Sequence, residues 1–80
     1  MQELFKASDA VSAAVKQEVG HEGLVSYNQD GSDVRVTVNL QGATDAKVEQ
    51  AKAKVEEIVR RHYPEVTEIE VKGTPPEPGS

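Results

Sequence analysis

His21 and His62 are the two imidazoles of this 80-residue chain, and with its fourteen carboxylates they are the first residues to test for acid–base or metal chemistry. One falls in a glycine-flanked segment and the other near the end of a charged helical stretch. Nothing in their spacing aims both at one ion, as two ligands on one helix face would require. No serine has the strand-to-helix context of an activated nucleophile, and the chain contains no cysteine. Thiolate catalysis, disulfides, iron–sulfur ligation and thiolate metal sites are thereby excluded. The expectation is no catalytic residue, no bound cofactor, no metal ligands and no enzyme activity.

Two stretches invite a ligand and fail on inspection of their spacing. In SYNQDGSD (residues 26–33), Ser26, Asn28 and Asp30 precede Gly31 as oxygen ligands precede the glycine of a calcium loop. The closing position, however, is Thr37, where a bidentate glutamate is needed, and strands flank the segment in place of helices. In LQGATD (residues 40–45) a glycine leads into a helix start, where bare N–H groups and the helix dipole favour an anion. Gly42 leaving the strand and Thr44 or Asp45 capping the helix account for the same residues without a ligand, and Asp45 already supplies the negative charge.

A basic face on the second helical stretch (Lys47, Lys52, Lys54, Arg60, Arg61) is interleaved with Glu49, Glu56 and Glu57. The formal charge of −5 repels phosphate backbones, and no aromatic pair sits on the strands as in an RNA-binding sheet. Nucleic acid is not an expected partner. No apolar run reaches the ~20 residues of a membrane span, and MQELFKASD lacks a signal-peptide core, so no membrane contact is expected of this segment; the compartment stays open.

These residues must be positioned by elements that periodicity reveals. Leu4, Phe5, Ala7, Val11, Ala14, Val15 and Val19 recur at helical spacing over residues 2–19, with Gly20 suited to the position past the end. Leu24 to Tyr27 reads as a short strand. Val34, Val36, Val38 and Leu40 alternate with Arg35, Thr37 and Asn39 as a second, joined to the first by the turn formers of residues 28–33. A helix from Asp45 to about His62 carries the stripe Val48, Ala51, Val55, Ile58 and Val59, with Glu56 and Glu57 placed to pair with Arg60 and Arg61. Pro64 ends it, and Thr67 to Lys72 alternates as a third strand.

The expected fold is α+β, in the order α-β-β-α-β, with two helices packed on one face of a three-stranded mixed sheet. Residues 1–72 form one domain, and residues 73–80, GTPPEPGS, form a disordered tail rich in proline and glycine. The third strand runs parallel to the second, either beside it or across the first.

The run VRVTVNLQGATD, followed by a helix and then YPEVTEIEVKGTP, resembles the YhcN/YlaJ sporulation-lipoprotein domain and the related ring-building motif of secretion and sporulation assemblies. That resemblance implies protein–protein assembly and no catalytic residue. LQGA (40–43) with PEVTEIEV (64–71) resembles the C-terminal domain of NifU-like scaffolds, but Thr44-Asp45-Ala46-Lys47 stand where that family has its C-x-x-C pair, so cluster binding does not carry over. VEEIVRRHYPEV resembles the cytoplasmic domain of cation-efflux transporters, which implies dimerisation; that family often binds zinc through histidines on strands and loops, and the strands here contain none, so zinc does not carry over.

The function expected is a non-catalytic protein-interaction or assembly module of a larger protein or complex. A protein partner or a second copy would meet the uncovered sheet at Arg35, Thr37, Asn39, Glu68 and Glu70. The alternative is a small-ligand or metal-sensing regulatory domain without recognisable ligands, or a designed stable fold with no biochemical activity.

Overall fold

The computed structural model describes residues 2–74, with side chains from residue 7 onward. The side chains of Leu4 and Phe5, and the tail residues 75–80, lie outside what is described. The elements are α1 (Gln2–Val19), β1 (Gly23–Asp30), β2 (Asp33–Gln41), α2 (Asp45–His62) and β3 (Glu68–Thr74). The architecture is α+β in the expected order, with strand order β1-β2-β3. β2 is thus central, antiparallel to β1 and parallel to β3, which resolves the placement of the third strand.

Period-two alternation places Val34, Val36, Val38 and Leu40 of β2 inward, all buried. Val11 and Val15 of α1 and Ala51, Val55, Ile58 and Val59 of α2 form one cluster with Val36, Val38 and Leu40. Each large aliphatic side chain taken fully out of water contributes on the order of 1.5–3 kcal/mol, so this single layer between sheet and helices carries the fold.

Several boundaries differ from the sequence reading, for reasons that lie in the ladder. β1 runs from Gly23 to Asp30, because Asn28, Gln29 and Asp30 pair with Arg35, Val34 and Asp33. The turn shrinks to Gly31-Ser32, and Gly31 at φ 63° followed by a residue at negative φ is the signature of a type II′ hairpin. β3 includes Gly73 and Thr74, which pair with Leu40 and Gln41. Helix-surface pairing also differs: among the described residues Lys54, rather than Arg60 or Arg61, holds the helix carboxylates. Its Nζ lies 3.0 Å from Glu18 of α1 and 3.4 Å from Glu57, so it joins the helices across their seam. The hydrogen bond and charge of Glu18, then those of Glu57, raise the Lys54 amine above its ordinary range.

Candidate protein-interaction surface

The sheet has a second face, and no element among the described residues covers it. Alternation along β2 turns Arg35, Thr37 and Asn39 to that side, between Leu24, Ser26 and Asn28 of β1 and Glu68, Glu70 and Lys72 of β3. The five residues expected to form an interaction face therefore share one surface. Arg35, Glu68 and Glu70 are exposed, while Thr37 and Asn39 are half-buried because neighbouring strands flank them.

The face is organised by side-chain pairs. Arg35 donates from Nε and Nη2 to the same Glu68 oxygen, at 3.2 and 3.1 Å, directly across the β2–β3 register. With both partners more than half exposed, solvent screening holds such a pair to ~0–1 kcal/mol. Farther along, Asn39 Oδ1 accepts from Thr74 Oγ1 at 2.8 Å and from Gln41 Nε2 at 3.3 Å. Glu70 and Lys72, two residues apart on one face, lie 3.8 Å apart. This surface offers hydrogen-bonding groups in fixed positions, with charges of both signs.

At the hairpin end an open cleft of about 500 Å³ is lined by Asn28, Asp30, Asp33, Arg35, Thr67 and Glu68. The would-be calcium ligands Ser26, Asn28 and Asp30, of which Asn28 and Asp30 line this cleft, stand on a regular strand. Alternate strand residues rise about 6.6 Å along one face, too far apart to converge on an ion that needs oxygens at about 2.3–2.6 Å. Thr67 is used structurally: its Oγ1 donates to Val34 O and accepts from Val34 N, fastening the start of β3 to β2.

The junction of residues 40–45 is a strand exit and a cap. Gly42 takes φ 79°, a conformation that side chains with a Cβ rarely adopt, and its N–H donates to Thr74 O at 2.7 Å. Thr44 is the N-cap of α2, accepting from Lys47 N at 3.3 Å. Asp45 stands in the first turn, where the dipole favours its charge. The two histidines are kept apart: His21, in the loop after α1, places Nδ1 3.1 Å from Gln41 O, while His62 is the last residue of α2. Among the described residues no three His, Cys, Asp or Glu side chains are grouped to hold an ion.

Two residues that the sequence reading passed over shape the surroundings. Tyr63 is 2% exposed and packs on Tyr27 with ring centroids 5.3 Å apart; it lies four residues past Val59, so extending the α2 stripe by one turn finds it. Burial, then the nearby Tyr27 and Glu65, raise its phenol above the ordinary range. Gly73 continues the inward register of Ile69 and Val71, and a Cβ there would fall 2.8 Å from Ala43 O and closer still to Val48. The helix entry presses directly on β3 at this point.

No protein-family model matches the chain, and no curated protein matches it. Among solved structures, a double-substitution variant of the MamM CTD superposes with a TM-score of 0.69 at 13% identity, over 99% of this chain and 100% of that one. The MamM CTD is a cation diffusion facilitator C-terminal domain. At this identity the likeness is one of fold. It agrees with the resemblance to cation-efflux cytoplasmic domains, and no comparison supports the YhcN/YlaJ, ring-building or NifU-like resemblances.

Proposed function

We propose that this domain is a non-catalytic protein-interaction module, and that it works by presenting its open sheet to another protein chain. The observation that carries this reading is the outer face: a three-stranded polar surface whose side chains are pre-positioned by Arg35–Glu68 and by the Asn39 cluster, while the whole core lies on the opposite side. Ordered polar groups on a rigid sheet reduce the ordering cost a partner must offset.

Cation-efflux C-terminal domains are dimerisation and metal-sensing modules. Of those two roles the residues here favour the first, since His21 and His62 stand on different elements and the His21 ring is engaged with Gln41. An amide spectrum followed from micromolar to millimolar chain tests this. Concentration-dependent shifts confined to the strands and their outer face are the expected result. Local shifts on adding zinc, calcium or phosphate, with none on concentration, would replace the interaction reading by a sensing one.

A further inference from the structure

The outer edge of β1 is an unguarded pairing surface. Gln41 N donates to Glu22 O at 2.8 Å, and with the β1–β2 register this fixes which backbone groups face β2. In an antiparallel ladder hydrogen-bonded pairs alternate with non-bonded ones, so Leu24, Ser26, Asn28 and Asp30 point their N–H and C=O groups inward. Gly23, Val25, Tyr27 and Gln29 point theirs away from the sheet. The Ser12 hydroxyl reaches Gly23 O at 2.8 Å, which confirms that this carbonyl faces outward; no other described backbone or side-chain group bonds this row.

Such edges are ordinarily blunted by charges, proline or a bulge. From Gly23 to Gln29 the strand has none of these, although the chain is 29% charged. The same stretch carries Leu24, among the described residues the large hydrophobic left most exposed, at 57%. On α1, Ser12 and Ser8 one turn before it are small residues on the side that reaches this edge, leaving room for a neighbouring helix.

We propose that β1 pairs antiparallel with β1 of a second copy of this chain, about a two-fold axis at Ser26, to give a continuous six-stranded sheet. The proposal rests on the interaction reading above and names its partner. A second copy fits because the segment is complementary to itself: centring on Ser26 pairs Val25 with Tyr27 and Gly23 with Gln29 in both directions, so every outward-facing residue of the row is used. From Gly23 to Gln29 this pairing opposes no like charges between two chains of charge −5; Glu22 meets the Asp30 of the other copy only at the two ends of the ladder. A two-fold pairing closes on itself, giving a dimer rather than a fibre.

At the axis the two Ser26 residues form a non-hydrogen-bonded pair, with Cα atoms about 4.5 Å apart, within disulfide range. In the cysteine-free chain, Ser26→Cys is therefore expected to give an oxidised dimer at a rate that Thr37→Cys, on the same face but one strand inward, does not match. Ser26→Lys, which opposes two ammonium groups at the axis, should raise the sedimentation-derived Kd about fivefold, and Thr37→Lys, one strand inward on the open face, should raise it less. Association that persists with equal cross-linking at both cysteines, or that weakens more with Thr37→Lys, overturns edge pairing and leaves the interaction reading standing. A chain that neither sediments faster at millimolar concentration nor cross-links at Ser26, and whose amides do not shift with concentration, overturns both.

Discussion

β1 and β3 flank the same central strand, yet their outer edges are built on opposite plans. β3 turns Glu68, Glu70 and Lys72 to the open face, and its end is gripped by Gly73 against Ala43 and Val48 and by the Gly42 bond to Thr74. β1 has no charge from Gly23 to Gln29, and among the described residues one serine hydroxyl reaches its outer row. The contrast lies in the side chains each edge carries: Glu68, Glu70 and Lys72 on β3, and no charged side chain from Gly23 to Gln29 of β1. Guarding an edge takes only a few side chains at the right register, so omitting them at β1 separates it from the rest of an otherwise charged surface.

The largest effect should come from erasing that contrast. Replacing Glu68, Glu70 and Lys72 together with threonine opens the second edge, and pairing through both edges no longer closes. Light scattering should then rise with concentration well beyond a dimer, whereas a triple variant that stays at the parent's mass would mean the charges do not guard β3. Next in size, Tyr63→Ala removes the aromatic that holds β1 from below through Tyr27, and by analogy with buried aromatic truncations should cost about 3 kcal/mol in urea unfolding. A loss under about 1 kcal/mol would show that β1 is held by α1 alone. On the other side, Gly73→Ala forces a methyl against Ala43 O, and overpacking of this kind costs roughly 1–3 kcal/mol. Its signature is faster amide exchange in β3 with β1 little changed.

A smaller effect depends on pH. Tyr63 has its phenol raised by burial, so the folded state disfavours its ionised form. Its contribution is fully present below the unfolded value of about 10 and is lost as pH rises through the folded one. The parent should lose stability on that alkaline limb more steeply than Tyr63→Phe, and coincident limbs would contradict the burial argument. The smallest change is expected for Arg35→Ala, since its bond to Glu68 is exposed on both sides: under about 1 kcal/mol, and shrinking with added salt.

How much of this was legible beforehand depends on whether the signal is local. The α2 stripe from Val48 to Val59 and the alternation of Val34 to Leu40 are set by the periods of helix and strand, so both elements and the sharing of one face by Arg35, Thr37 and Asn39 could be read directly. Thr44 and Gly42 were legible for the same reason, because cap and strand-exit chemistry spans only a few residues. The length of β1 was not legible: Asn28 to Asp30 look like turn formers and become strand only because β2 offers them a ladder. Nor was the role of Gly73, which looks like the start of a tail until Val48 and Ala43 are seen against it.

The sequence by itself determined the element types, the apolar stripes and the polar outer face, because each follows from spacing within one segment. Tertiary structure alone decided that β3 lies beside β2, that Tyr63 closes over Tyr27, and that a strand without charge from Gly23 to Gln29 ends up at an edge. Those outcomes depend on which residues far apart in the chain exclude water together. The same Gly23–Gln29 segment in a central position would have spent its outward row of hydrogen bonds on a neighbouring strand and had none to offer a partner.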